Sequence, residues 1–164
     1  MGYSLNGGTP QSSNIFNGLA AGTYTVLVTD ANGCSAMTSA VIINNPPLLV
    51  ATATGSSQVS CHNASDGTIN ITTTGGTGEL SYSLNGGTPQ ASNVFNGLAA
   101  GSYTVLVTDA NGCSAITSVV VINNPPLLTA SIEGTSQVSC HGVKDGMITV
   151  IASGGTGAYS YSLN

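Results

Sequence analysis

Cysteine and histidine stand side by side twice in this chain of 164 residues, at Cys61-His62 and Cys140-His141. A thiol within hydrogen-bond reach of an imidazole is the arrangement of a cysteine nucleophile and its base. Adjacent residues of a strand point to opposite faces, however, so these two side chains cannot meet there. A zinc site needs about four ligands, more than one Cys and one His supply. We therefore predict no catalytic residues and no enzyme, with each histidine in an exposed turn beside a structural cysteine.

Two aspartates in turns are the remaining candidates for metal chemistry. Asp66 precedes a glycine, and Asp109 opens the sequence Asp-Ala-Asn-Gly. Oxygen ligands suit calcium, but calcium takes about six to eight of them, and the chain has no Asp-rich loop. Asp and Asn also form turns by bonding their own backbone. We predict that role and no cofactor, and keep calcium at Asp66 and Asp109 as the alternative.

The composition excludes several classes of partner. Only 4% of the residues are charged, the net charge is −5, and Lys144 is the sole basic residue. Nucleic-acid binding is excluded because phosphate contacts need Lys and Arg. No apolar run approaches the roughly 20 residues that cross a bilayer, so no membrane insertion is expected. Disorder is disfavoured because 41% of the residues are hydrophobic.

An internal repeat organises the chain. Tyr-Ser-Leu-Asn begins at Tyr3, Tyr82 and Tyr161, which gives a period of 79 residues, and positions 3–47 match 82–126 at 39 of 45 places. That period is too long for a solenoid turn and suits a whole small domain.

Paired prolines are predicted to mark the boundaries, since they stiffen a linker and cannot continue a central strand. They stand at Pro46 and Pro47 and again at Pro125 and Pro126. The predicted domains are 1–47, the C-terminal part of one repeat; 48–126, a complete repeat; and 127–164, the N-terminal part of the next. We expect the chain to be a piece of a longer array.

The complete repeat shows strand patterns and no sustained helical period. Alternating residues predict strands over 49–54, around Ile69 and Ile71, over 80–84, 93–98, 102–108 and 114–122. Short strands with turn signals at this spacing predict an all-β fold of tandem Ig-like β-sandwich domains. Tyr103, with Tyr24 at the same position of the first repeat, is predicted to form a tyrosine corner; a plain core aromatic is the alternative.

One apolar residue lies on the outer face of the clearest strand. Leu106, with its counterpart Leu27, stands between threonines. We interpret it as half-covered by a neighbouring strand, with lateral contacts between filaments as the alternative.

Several motifs together resemble the SprB repeat, found in giant surface adhesins of Bacteroidetes that include a gliding-motility adhesin. They are Val-Ser-Cys-His-Asn-Ala-Ser-Asp-Gly-Thr-Ile from Val59, Gly-Gly-Thr-Gly from Gly75, Leu-Ala-Ala-Gly-Ser-Tyr-Thr-Val from Leu98, and Val-Thr-Asp-Ala-Asn-Gly-Cys from Val107. The resemblance implies type IX secretion and display at the bacterial cell surface. Gliding itself does not follow from it.

In a chain that resembles an exported protein, four cysteines indicate disulfides. We favour a bridge between Cys61 and Cys113, which leaves the partners of Cys34 and Cys140 outside the chain. The turns that carry Cys61 and Cys113 fall at opposite ends of an Ig sandwich, and cysteines more than about 7 Å apart cannot bridge. A bridge from Cys61 to the next repeat, or four free thiols, therefore remain open.

The expected function is a structural stalk that spaces adhesive regions from the cell, with neighbouring repeats as its partners. One alternative is a multivalent glycan- or surface-binding module, for which exposed aromatics are needed; Trp is absent and Tyr159 is the one candidate. The other is a repeat region appended to a secreted enzyme.

Overall fold

The structure, a computed structural model, describes residues 1–163, and every regular element in that range is a β-strand. Among these residues there is no helix of the length and apolarity that crossing a bilayer requires. The strands are β1 (Gly2–Leu5), β2 (Gly22–Tyr24), β3 (Val26–Thr29), β4 (Ser35–Met37), β5 (Val41–Ile43), β6 (Val50–Ser57), β7 (Ser65–Thr74), β8 (Ser81–Leu84), β9 (Val94–Ala99), β10 (Gly101–Tyr103), β11 (Val105–Thr108), β12 (Ser114–Ile116), β13 (Val120–Ile122), β14 (Thr129–Ser136) and β15 (Met147–Ser153).

The chain divides into two compact units after Pro47. The first unit is Met1–Pro47. The second begins at Leu48 and holds both the complete repeat, residues 48–126, and the segment that follows it. We call residues 48–126 the middle repeat, residues 1–47 the N-terminal segment and residues 127–163 the C-terminal segment.

Two three-stranded antiparallel sheets and a short strand pair build the middle repeat. One sheet has the order β6-β7-β9, the other has the order β12-β11-β8, and β10 pairs with β13. Strand β7 is central in its sheet and alternates in character, because Ile69 and Ile71 are buried while Asn70 and Thr72 are exposed. Strand β11 alternates in the same way, with Val105 and Val107 inward.

The inward residues of both sheets form one hydrophobic core. Its buried members are Leu49, Val59, Ile69, Ile71, Tyr82, Phe95, Val105, Val107 and Ile122. Residues of the β6-β7-β9 sheet thus pack against residues of the β12-β11-β8 sheet, as in a sandwich. The predicted all-β, Ig-like sandwich fold is confirmed.

Two strands predicted as continuous, 102–108 and 114–122, are each divided in two, so this part of the prediction is wrong. The break in the first falls at Thr104, whose N–H donates to Oδ1 of Asn85 at 2.8 Å. The break in the second surrounds Thr117, whose hydroxyl oxygen accepts the N–H of Val105 at 3.0 Å. At these points side-chain oxygens accept the N–H groups in place of the backbone carbonyls of a neighbouring strand. The strands are therefore interrupted, and β10 pairs with β13 while β11 pairs with β8 and β12.

The N-terminal segment contains part of the same sandwich. Its β1-β3-β4 sheet corresponds to β8-β11-β12, and its β2-β5 pair corresponds to β10-β13. Residues 15–20 differ from 94–99 only at Ile15, yet 94–99 form β9 and 15–20 form no strand. The reason is the partner: β9 pairs with β7, and the N-terminal segment has no counterpart of β7.

The C-terminal segment contains the complementary part. Strands β14 and β15 pair with each other as β6 and β7 do, including a register shift at the same place. Relative to the repeat, strand β15 begins three positions later than β7, because residues 65–67 of β7 pair only with β9 and the C-terminal segment has no counterpart of β9. Its inward side chains are consequently exposed: Ile148 is 55% exposed, whereas its counterpart Ile69 is 0% exposed.

Candidate functional site

A loop of the middle repeat holds the linker by which the chain leaves that repeat. The Nδ1–H of His62 donates to the carbonyl of Pro125 at 2.8 Å. The N–H of Asn63 donates to Oδ1 of Asn124 at 2.9 Å, and Nδ2 of Asn124 returns a bond to Oδ1 of Asn63 at 3.0 Å. The amide oxygen of Gln58 accepts the N–H of Asn123. The linker is therefore bound to the repeat residue by residue.

A glycine turn of the following segment holds the same linker from its other side. The N–H of Gly155 donates to the carbonyl of Pro126 at 2.9 Å. Gly154 has a φ of +79°, and a Cβ there would lie 2.0 Å from the carbonyl oxygen of Leu127, so only glycine fits. The hydroxyl of Thr156 donates directly to the carbonyl of Ser60 at 3.0 Å. Successive repeats thus touch across the linker.

The chain enters and leaves the middle repeat at opposite ends of β7. At the entry, the carbonyl oxygen of Leu48 lies against Gly75, which directly follows β7. At the exit, Pro125 is bonded to His62, three residues before β7 begins. The length of β7 therefore separates the two linkers.

Asp109 joins two turns at the entry end. Its Oδ1 accepts the N–H groups of Asn111 and Cys113 at 3.0 and 2.8 Å, and its Oδ2 accepts the N–H of Thr77 at 2.9 Å. Burial acts to raise the pKa of the Asp109 carboxyl, but the hydrogen bonds from Cys113, Thr77 and Asn111 outweigh it and leave the pKa below its ordinary value. Both carboxylate oxygens are thereby engaged in protein contacts.

Asp66 has the corresponding role near the exit end. Hydrogen bonds from the side chain and the N–H of Ser60 hold the pKa of Asp66 below its ordinary value. Asp66 is the second residue of β7, whereas Asp109 directly follows β11 and is bonded to Thr77, so the two calcium candidates are not brought together. Among residues 1–163 no three His, Cys, Asp or Glu side chains converge on a metal-sized site.

The structure does not bring Cys61 and Cys113 together either. All four cysteines are exposed free thiols. Cys61 precedes the start of β7. The backbone N–H of Cys113 donates a hydrogen bond to Asp109, which lies beside Thr77, close to the other end of β7. The ten residues of β7 span about 33 Å, far beyond the reach of a disulfide. Cys34 and Cys140 hold the same positions in their own segments.

The other predicted structural residues lie as follows. The hydroxyl of Tyr103 donates to the carbonyl of Ala99 at 2.9 Å, and Tyr24 donates to Ala20 at 2.8 Å. This backward bond over four residues is the one a tyrosine corner makes. It forms in the incomplete N-terminal segment too, so it is a local contact.

Leu106 lies on the outer face of β11 and is 38% exposed. Its cross-strand neighbours are Ser83 on β8 and Ile116 on β12. Leu27 is half-buried in the corresponding place and pairs with Met37. Pro46 and Pro47 stand where the two compact units divide, and Pro125 and Pro126 stand in the bonded linker.

Sequence reasoning located the proline linkers and missed what binds them. Neither spacing nor composition distinguishes the residues that bind the linker, because uncharged polar residues are common throughout this sequence; these residues are Gln58, Asn63, Asn124 and Thr156. A sequence feature that could have indicated such contacts is the Asn-Asn pair before each proline pair, since amide side chains both donate and accept hydrogen bonds.

The fold and this junction define a class: a tandem array of Ig-like β-sandwich repeats. Within that class, the family model described as SprB repeat matches residues 53–89 and 133–164. The resemblance to the SprB repeat family is thus confirmed at two successive copies, one in the middle repeat and one in the C-terminal segment. No curated protein matches the chain.

One solved structure similar to this chain is a Bacteroides ovatus protein, mixed-linkage glucan utilization locus SGBP-B in complex with a mixed-linkage heptasaccharide. It shares 18% identity over 87% of this chain, with a TM-score of 0.25. The chain spans 43% of the length of that protein. A TM-score this low supports no conclusion about the fold or the function of this chain.

Proposed function

We propose that this chain is a structural stalk module of a large, secreted bacterial cell-surface adhesin, which spaces or presents adhesive regions. The observation that carries the proposal is the path of the chain through the middle repeat. Leu48 enters beside Gly75 at one end of β7, and Pro125 leaves beside His62 at the other. A repeat with this path extends an array, whereas a repeat with both linkers at one end would fold it back.

The length that each repeat adds follows from β7. Its ten residues span about 33 Å, and the linker adds a few residues more. Each repeat should therefore lengthen the stalk by about 35–40 Å. Stiffness comes from the junction, where Gln58, His62 and Asn63 bind the linker on one side and Gly155 binds it on the other.

The surface chemistry supports a spacing role. With 4% charged residues, the repeats have weak long-range fields and attract few partners through charge. Neighbouring repeats of the same chain are the partners, and neither a cofactor nor an enzyme activity belongs to this proposal. The resemblance to SprB repeats supports an extracellular location at the cell surface, export by type IX secretion, and surface attachment as the purpose; a part in gliding motility remains a narrower option.

A glycan-binding role is the second candidate, favoured by one pair of aromatic residues. The rings of Tyr159 and Tyr161 are both exposed and lie 6.5 Å apart in an edge-to-face arrangement. The counterpart of Tyr161, Tyr82, belongs to the buried core of the middle repeat. A complete repeat therefore retains one exposed tyrosine of this pair at most, which favours the stalk.

The proposal is tested by building stalks of known length. Two, four and eight copies of residues 48–126 are placed between an outer-membrane anchor and a gold-labelled tip, and the height of the tip above the membrane is measured by electron tomography. A stalk raises the tip by about 35–40 Å per copy. A height that does not depend on copy number would overturn the proposal. Specific binding of the same arrays, without a tip, to a glycan array would favour the second candidate.

A further inference from the structure

The first strand of the middle repeat runs from the entry end of the sandwich to the exit end. Val50, at the start of β6, pairs with Thr74 at the end of β7, next to Gly75 where the chain enters. Ser57, at the end of β6, pairs with Thr68, towards the exit. Tension on the entering linker therefore pulls β6 backwards along its own axis.

The last strands of the middle repeat run in the same direction. Strand β12 starts at Ser114 opposite Thr108, beside Asp109 at the entry end. Strand β13 follows it and ends at Ile122, whose side chain lies beside Gly67 near the start of β7, at the exit end. Tension on the leaving linker therefore pulls β13 forwards along its own axis.

The strands that receive the two pulls are neighbours. Strands β12 and β13 lie beside β6. Just beyond the ends of β6 and β13, the amide oxygen of Gln58 accepts the N–H of Asn123. Tension moves β6 towards the entry and β13 towards the exit, so the two strands must slide past each other before the repeat opens. The bond between Gln58 and Asn123 connects the two strands that slide.

A hydrogen-bonded ladder lies along each of these strands. Strand β6 pairs with β7 at seven positions between Val50 and Ser57, and β13 pairs with β10 at three. Side-chain hydroxyls add two bonds between β6 and β7, from Thr54 to Thr72 at 2.9 Å and from Ser57 to Thr68 at 3.0 Å. Ladder bonds are perpendicular to the strands. A pull along the strand therefore strains all of them together, whereas a pull across it breaks them one after another.

We propose that the middle repeat is a force-bearing clamp, which transmits tension along the array and resists it through shear of β6 and β13. The first and last strands run in the same direction and are pulled from opposite ends, which is the arrangement that loads both ladders in shear. The clamp is a function beyond spacing, because a spacer has to hold its length and a clamp has to hold a load. It depends only on strand directions within residues 48–126.

Pulling the same chain in two directions tests the clamp. Handles are attached to the 164-residue chain through azide-bearing side chains, which leaves the native thiols untouched, and optical tweezers measure the rupture force. Handles at the exposed Leu48 and Leu127 reproduce tension along the array. Handles at Leu48 and the exposed Glu79, which lies near Asp109, both act at the entry end and open the β6–β7 ladder pair by pair. At one loading rate, the rupture force should be several-fold higher in the first direction.

The length released at rupture identifies the unit that has unfolded. The handles at Leu48 and Leu127 are 79 positions apart, and a fully extended chain of that length spans about 280 Å at about 3.6 Å per residue. The folded repeat spans about 35–40 Å, so its unfolding should release about 240 Å. With handles at Leu48 and Glu79 the release should be less than half as long, because fewer residues lie between them.

Two glutamine variants separate resistance to tension from stability. Gln58→Ala removes the bond to Asn123 that connects the sliding strands. The matched control, Gln90→Ala, removes bonds to the carbonyls of Ser92 and Val94, outside β6 and β13. Under constant tension the lifetime of the folded repeat reports its unfolding rate. Gln58→Ala should shorten that lifetime about five-fold, the factor for one hydrogen bond. Gln90→Ala should leave it unchanged, although it lowers the midpoint of urea unfolding.

Two results would overturn the clamp. Equal rupture forces in the two directions would show that tension along the array does not load the ladders in shear. Equal lifetimes of the two glutamine variants would show that β6 and β13 do not slide past each other when the repeat opens. Circular dichroism before pulling confirms that each labelled chain and variant is folded. Force and lifetime are independent of the tip height that tests the stalk, so failure of the clamp and failure of the stalk are distinguishable.

Discussion

The same substitution at equivalent positions of two repeats should have very different costs. Ile69 on β7 and Ile148 on β15 stand 79 positions apart, but Ile69 is fully buried and Ile148 is mostly exposed. Ile69→Ala removes three carbons from the core, worth about 2.4 kcal/mol of transfer free energy. A cavity in the core between the two sheets adds to that loss, for a total of about 3.5 kcal/mol. Ile148→Ala leaves no cavity and should cost less than about 1 kcal/mol.

The assay is urea unfolding of the whole chain, followed by far-UV circular dichroism at a concentration where the chain is monomeric. With a slope of about 1 kcal/mol per molar urea, Ile69→Ala should lower the midpoint by about 3.5 M. Ile148→Ala should lower it by less than about 1 M. Equal shifts would show that the sandwich is not completed within residues 48–126, and the phasing of the repeat would be wrong.

Three further variants test single contacts. Tyr103→Phe removes the hydroxyl that bonds Ala99 and should reduce the free energy of unfolding by about 1 kcal/mol in the same urea assay; no change would refute the corner as a stabilising contact. Asp109→Asn should lower the urea midpoint at neutral pH. Because folding lowers the pKa of Asp109 from 3.8, its stabilisation is present above that value and is lost as the pH falls through the lowered pKa. The Asn variant should therefore lose less stability on acidification than the wild type, and parallel pH profiles would contradict this. Asn124→Ala removes both bonds to Asn63 and should broaden the distance distribution between spin labels on successive repeats, while stability changes by less than about 1 kcal/mol. An unchanged distribution would show that the linker is held without them.

Much of the fold follows from the sequence because its determinants are local. Alternation at Ile69 and Ile71 and at Val105 and Val107 predicts strands whose buried faces are the ones observed. The period of 79 residues predicts equivalent sheets, and the β1-β3-β4 sheet repeats β8-β11-β12.

What sequence could not predict depends on contacts distant along the chain. Residues 15–20 and 94–99 are nearly identical, and only 94–99 form a strand because only they have β7 beside them. The junction is of the same kind, since 63 positions separate His62 from Pro125. The strand breaks at Thr104 and Thr117 arise where side-chain oxygens accept backbone N–H groups. The alternation of apolar residues along the chain does not indicate these contacts.

In the proposed stalk, each repeat carries the chain from one end of its sandwich to the other. Small-angle X-ray scattering of arrays with one, two, four and six copies of residues 48–126 measures this. We expect the maximum dimension to grow linearly, by about 35–40 Å per copy. A maximum dimension that grows only as the cube root of the copy number would show that the repeats fold back on one another and do not form a stalk.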